Sequence, residues 1–291
     1  MSGKLSEVRV LVAGGSGSIG KAIVRALLLE GAFVAMAARA GERLKEANHE
    51  MKKEGLDVFA VVMDVESHDS ITEVVHLLHS RWGGVDAFFN CAGTGMEQFN
   101  PSFASSAKPF HTYEIASMRR AMDVNYIGYF AVTQAFMPTF IEQGRGKIVN
   151  VDVDRELLAI RGFAPFSPTR SATDTLTMIM AKELEGSGIT ANILTPGGFV
   201  KGGMFPPGTS EDAFGKLLDA GIMGPPAVFL ASSDSDGLNV LLPKMDTLIS
   251  LLHEFELHSW SVQQIDKSRH IFPAQLFFGA LNAVSRTRSV W

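Results

Sequence analysis

The feature that most constrains this chain is the turn Gly14-Gly15-Ser16-Gly17-Ser18-Ile19-Gly20, set between a β-branched apolar run at 8–13 and a helical apolar spacing at 21–30. Strand, glycine turn and helix in that order let the backbone bend tightly, and they aim the free N–H groups of a helix start at whatever anion lies above the turn. Glycine-rich strand-to-helix turns also occur where no nucleotide binds, so the rest of the pattern has to carry the reading.

That pattern repeats. Apolar runs at 32–38, 57–63, 85–91, 147–152 and 189–194 read as strands, and the stretches 42–54, 67–82, 115–143 and 165–185 between them read as helices. Near-continuous apolar strands alternating with helices predict an α/β fold. Its sheet is parallel and doubly wound, a Rossmann arrangement in three α/β/α layers, with ligands at the carboxyl ends of the strands. With 291 residues, 46% of them hydrophobic, one large core suffices, so residues 1–245 are expected as one dinucleotide-binding domain.

Two stretches depart from the alternation. The connection 94–114 is longer than strand-to-helix loops usually are and is read either as a lid over the strand ends or as a surface insertion without a role. The tail 246–291 is read as a helical extension: 246–255 is amphipathic, and 271–291 is apolar with Arg286 and Arg288 near its end. It is expected to pack on the domain or on a second subunit.

A formal net charge of −5 with dispersed Lys and Arg argues against nucleic acid and anionic membrane, leaving a small molecule as the expected partner. The single cysteine, Cys91, is read as a small buried residue; it excludes an intrachain disulfide and a Cys-based zinc site, and the His residues show no HxxxH spacing, so no metal site is expected. The polar start runs straight into a strand and no apolar stretch is long enough to span a bilayer, which predicts a cytoplasmic protein.

For a dinucleotide, the turn offers Gly14, Ser16, Ser18, Ile19 and Gly20, with Ser18 standing where a further glycine would allow closer contact. After the second strand comes Arg39 and no acidic residue. A basic side chain there suits a 2′-phosphate and favours NADP(H) over NAD(H), the alternative being a solvated arginine at the next helix. Asp64-Val65 either meets the adenine or caps the helix that follows.

With Asn90-Cys91-Ala92-Gly93 after the fourth strand, Asn125 on the long helix, Gly146-Lys147-Ile148-Val149-Asn150 and Pro196-Gly197, the chain resembles the short-chain dehydrogenase/reductase family over about residues 5 to 245. Phe229-Leu230-Ala231-Ser232, ahead of a last core strand near 238–242, fits the same pattern. The resemblance implies cofactor contacts from Asn90, Ala92, Gly93, Pro196, Gly197 and Phe199, and a homodimer or homotetramer. It also implies a tetrad of Asn, Ser, Tyr and Lys, in which Tyr moves the proton and Lys holds the nicotinamide ribose. Asn125 is kept, but the Ser position falls on Val153, the Tyr position on Phe166 and the Lys position on Arg170. The hydroxyl residue expected after Pro196 is replaced, most simply by Lys201.

Losing a phenol and a hydroxyl removes two donors to a developing alkoxide, on the order of 3 kcal/mol each. Arg170 retains the charge needed to meet ribose hydroxyls. Asp152, Asp154, Arg155 and Glu156 crowd the exit of the fifth strand; there an acid of raised pKa could give the proton, or an ionised one could orient a cationic substrate, unless these are loop charges paired with one another, Arg161 and solvent. His111 and Tyr113 in the 94–114 connection are the outside candidates.

Three readings follow, in order of preference. The first is an NADP(H)-dependent oxidoreductase with a non-standard site, acting on a small and already activated, iminium-like substrate. The second is a redox-neutral cyclase, lyase or isomerase on the same scaffold. The third is a non-catalytic NADP-binding subunit.

Overall fold

Six strands, β1 (Arg9–Ala13), β2 (Phe33–Ala38), β3 (Phe59–Val62), β4 (Ala87–Asn90), β5 (Gly146–Val151) and β6 (Ile189–Leu194), form a parallel sheet in the order β3-β2-β1-β4-β5-β6. The computed structural model describes residues 3–205 and 214–239. The expected last strand, which runs past Asn239, and the 246–291 tail lie outside the described residues. Seven α-helices accompany the sheet among the described residues: α1 (Ser18–Leu29), α2 (Glu42–Lys53), α3 (His68–Trp82), α4 (Ile115–Met122), α5 (Gly128–Gln143), α6 (Ser167–Glu183) and α7 (Gly224–Ala231).

Side chains alternate across the sheet with the strand period of two. On β1, Val10 and Val12 face Ile23, Val24 and Leu27 of α1 and Leu230 of α7, whereas Leu11 and Ala13 face Ile71 and Val74 of α3 and Phe136 of α5. Both faces are therefore dry, which is why the strands read as continuous apolar runs. The sheet order reverses at β1, between β2 and β4, so the crevice of the fold opens above the carboxyl ends of β1 and β4.

The stretch 115–143 is not the single α-helix its spacing predicts. A π-helical turn, Asp123–Ile127, joins α4 to α5. It carries the buried Asn125, whose backbone carbonyl accepts the Thr173 hydroxyl from α6 at 3.0 Å. The wider turn diverts one carbonyl from the helix ladder to a neighbouring helix, a change that apolar periodicity cannot register.

The 94–114 connection leaves β4 and folds over the strand ends. Met96 and Phe103 within it join Phe163, Phe166, Phe199, Phe205 and Leu217 in a third apolar cluster, separate from the two sheet-face cores. Tyr113 fastens the connection by donating its hydroxyl to the Gly162 carbonyl at 2.8 Å.

Candidate active site

The glycines of the first turn are fixed by contact. Gly14 has φ +78°, and a Cβ there would stand 2.4 Å from the Ala92 nitrogen; one on Gly20 would stand 2.3 Å from the Gly14 carbonyl oxygen. Bare backbone thus lets the β1 exit touch the β4 exit and lets α1 start against its own turn. Gly17 caps α1 in extended geometry without a side-chain hydrogen bond, and no acidic residue occupies the first turn. The N–H groups there face a cleft of about 200 Å³ bordered by Gly17, Ser18, Ile19 and Gly20.

The same cleft is bordered at its far end by Asp152, Val153, Phe166, Arg170 and Tyr129. Phe166 is buried at the start of α6, and one turn later the buried Arg170 lies 5.0 Å from the Phe166 ring centroid and 5.5 Å from that of Tyr129. Arg170 Nη1 donates to the Tyr129 hydroxyl at 3.2 Å and to the Val151 carbonyl at 3.4 Å, and Tyr129 donates to that carbonyl at 3.1 Å. Burial works against the guanidinium charge, but Tyr129 and Asp152 outweigh it and its pKa lies above the usual arginine value. Gly93 leaves room for this side chain, since a Cβ there would be 2.6 Å from Arg170 Nη2.

Asp152 is 3% exposed, just past β5. Burial pushes its carboxyl up to about 8, with Asp174 adding to the rise and Arg170 pulling against it. It is no solvated loop charge, and its burial favours the protonated form. Asp154, also buried, accepts the Thr195 hydroxyl at 3.2 Å and does not border the cleft. Asn125 is spent on structure: its Oδ1 accepts the Thr94 N–H at 2.8 Å while Nδ2 donates to the Thr94 carbonyl and to Thr169 Oγ1.

Of the residues expected to meet a dinucleotide, Ser18, Ile19, Gly20, Gly93, Arg170, Pro196 and Phe199 border the cleft, and Gly14, Ser16, Ala92 and Gly197 do not. Asn90 turns inward and donates to Asn150 Oδ1 at 2.8 Å. Val65 packs in the core, where the absent Cβ of Gly128 admits it. Asp64 Oδ1 accepts the Glu66 N–H at 3.1 Å, and the α3 cap is Ser67. Arg39 is exposed outside the cleft, whereas Arg43, in the first turn of α2, borders it. His111 and Tyr113 do not reach it.

Arg43, Tyr129 and Asp174 escape motif reading. Arg43 had a signal, lying in the helix turn that follows Arg39; so did Asp174, an acid four residues after Arg170 and hence on the same helix face. Tyr129 had none, because nothing in its spacing points it at Arg170.

Similar proteins agree with this architecture. Gluconate 5-dehydrogenase of Gluconobacter oxydans is 32% identical over 195 residues, 67% of this chain and 72% of that enzyme. The 3-dehydrosphinganine reductase of Danio rerio is 28% identical over 198 residues, 66% of this chain and 57% of that enzyme, so the chain matches little more than half of its length. Among solved structures, an actinorhodin polyketide ketoreductase with NADPH superposes with a TM-score of 0.71 at 23% identity, over 82% of this chain and 97% of that one. A metagenomic short-chain oxidoreductase in complex with NADP gives 0.68 at 22%, over 83% and 97%. The family model for short chain dehydrogenases matches residues 8–210, the stretch that contains all six strands and every residue bordering the cleft. The chain belongs to the short-chain dehydrogenase family.

Proposed function

We propose that the chain is an NADP(H)-binding oxidoreductase that reduces a small imine, protonating it to an iminium within the cleft. The observation that carries the reading is one cleft with an uncapped α1 N-terminus at one end and a buried Asp152, its pKa raised by that burial, beside Arg170 at the other. The residues fit a dinucleotide: the glycine cradle admits a diphosphate close to backbone N–H groups, and Arg43 with Arg39 offers positive charge for a 2′-phosphate. A reduced dinucleotide held there would supply the hydride.

The chain's own residues would supply the rest. The family's Ser, Tyr and Lys positions fall on Val153, Phe166 and Arg170, so no phenol stands at the Tyr position; of the two acids that border the cleft, Glu97 and Asp152, Asp152 is the one that Arg170 faces. Arg170 keeps a fixed charge at that end. The phenylalanine cluster around Phe163, Phe166, Phe199 and Phe205 excludes water and strengthens every electrostatic contact inside. Gly202 and Gly203 lie against Ser18, with a Cβ at Gly202 only 3.1 Å from the Ser18 Cβ, so this glycine-rich segment packs close to the start of α1.

Titration of the purified protein should show NADPH binding more tightly than NADH, and Arg43→Ala should weaken NADPH about tenfold while leaving NADH unchanged, as expected for one charge-assisted phosphate contact. Failure to bind either cofactor would overturn the reading. A second reading, a redox-neutral enzyme on this scaffold, is favoured by Phe166 alone, and conversion of substrate with no change in nicotinamide absorbance would establish it. The combined variant Val153→Ser, Phe166→Tyr, Arg170→Lys should gain measurable reduction of simple ketones with NADPH; no gain would mean that the pocket has been reshaped as well. Exposed Ile127 and Phe130 on the π turn and α5, with Ile141 and Ile179 beyond them, offer an apolar face for a homodimer or homotetramer.

A further inference from the structure

An active site without its tyrosine needs both a proton donor and a way to reload it. At the end of β5, Asp152 Oδ1 accepts the Val153 N–H at 2.7 Å, while Oδ2 is buried and receives no hydrogen bond from any protein N–H or hydroxyl group. Asp174 shows the complementary pattern on α6. Its Oδ2 meets Arg155 Nε at 3.5 Å, and its buried Oδ1 receives nothing. The two carboxyls are within hydrogen-bonding reach of each other. Two carboxylates cannot satisfy one another, since an ionised carboxyl only accepts; one proton between them satisfies both vacant oxygens.

We propose that Asp152 and Asp174 share one proton, that Asp152 delivers it to the substrate in the cleft, and that Asp174 reloads the pair from solvent beside Arg155. The proposal rests on reading the cleft as catalytic, and the proton step itself does not depend on the later hydride transfer. Asp152 borders the cleft and Asp174 does not; the Asp174 side chain is only 6% exposed, but it meets Arg155, whose side chain is 57% exposed, so solvent lies one residue beyond the pair on the side away from the cleft. In the step, the lone pair of an imine nitrogen takes the proton as the Asp152 O–H bond breaks, giving an iminium beside a carboxylate. Asp152 and Asp174 are then both ionised in a buried site, and their repulsion drives uptake of one proton from water at the Asp174 end.

The charged and titratable groups around the pair agree with this polarity. Arg170 from α6 faces Asp152, and Tyr129 from α5 and Cys91 past β4 are both kept neutral by burial. Arg155 and Arg170 favour the ionised form of Asp174, although its burial raises its pKa overall. The proton therefore resides on Asp152 at rest.

Infrared titration of the intact protein tests this without turnover. The wild type should show a protonated carboxyl stretch at neutral pH that disappears with a midpoint near pH 8 and is absent in Asp152→Asn. In Asp174→Asn the midpoint should fall by about one unit or more, because a like charge is removed and the amide NH₂ can donate to the ionised Asp152. The same variant should shift the alkaline limb of the kcat profile by the same amount and leave the dissociation constant for NADPH unchanged. No protonated carboxyl in the wild type above about pH 6, or an unmoved midpoint in Asp174→Asn, would overturn the proposal. NADPH binding measured on the same samples separates the two readings: binding without the carboxyl signal removes the pair and Asp152 as the acid but keeps the NADP(H)-binding oxidoreductase, and the signal without binding does the reverse.

Discussion

Asp152→Asn should yield a protein that is more stable than the wild type at neutral pH and turns over on the order of 10²-fold more slowly. Both effects have one origin. In the folded chain Asp152 holds a proton up to about pH 8, whereas in the unfolded chain it loses it near the ordinary carboxyl value. A folded-state pKa raised in this way gives stability that is complete below about pH 4 and is lost as pH rises through about 8. At pH 7 most of that loss has occurred, on the order of 2–4 kcal/mol. Asparagine has nothing to titrate. Its amide oxygen can accept the Val153 N–H, and its NH₂ can donate permanently to Asp174, as the proton does at low pH. Thermal unfolding measured from pH 4 to pH 9 should therefore show the two proteins converging at the acid end and separating with rising pH. Parallel profiles would mean that Asp152 is ionised in the fold. The turnover loss follows because the amide has no acidic proton to give, so stability and rate move in opposite directions at a single atom.

Gly14→Ala should cost more than about 3 kcal/mol in urea unfolding, whereas Gly17→Ala, three residues on, should change stability by less than about 1 kcal/mol. Gly14 has φ +78°, and its missing Cβ would fall 2.4 Å from the Ala92 nitrogen and 2.6 Å from the Cys91 carbonyl carbon, backbone atoms that cannot swing aside. Gly17 has φ −74° and ψ 168°, and its Cβ would meet only the Gly14 oxygen at 3.4 Å, an ordinary contact. Gly17→Ala is instead expected to weaken NADPH binding, because the added methyl stands at the α1 N-terminus where a diphosphate would approach. Equal stability losses in the two variants would show that the turn is more pliable than its contacts imply.

The fold was legible because local and global signals coincide. β6 occupies the residues its apolar run predicts, and the strands of the switch point are dry on both faces, so their patterns are unbroken. The glycine turn was legible because glycine there answers a backbone requirement visible in any sequence. The cleft's chemistry was only half legible. Residues 153, 166 and 170 are expected as replacements only through the resemblance to the family, and Asp152 stands out as an acid at a strand exit. Whether that acid is solvated or buried depends on Phe163, Phe199 and Phe205 closing over the strand ends from separate segments. Its partner Asp174 and the Tyr129 hydroxyl on Arg170 depend on the rotations of α6 and α5, and the π turn resets that of α5. Periodicity gives a helix its apolar face but not the depth at which each polar exception lands.

Asn90 and Asn150 lie opposite each other on β4 and β5, joined at 2.8 Å, and Asn150 passes the bond on to Thr177 Oγ1 of α6 at 2.8 Å. In an otherwise oily interior this chain of amides acts as a proofreading device for assembly. If β5 docked one residue out of step, both side-chain amides would be stranded without partners, at about 1–3 kcal/mol for each unsatisfied group. Misaligned collapsed forms are thereby disfavoured, and the correctly aligned sheet delivers Asp152, two residues beyond Asn150, to the mouth of the cleft.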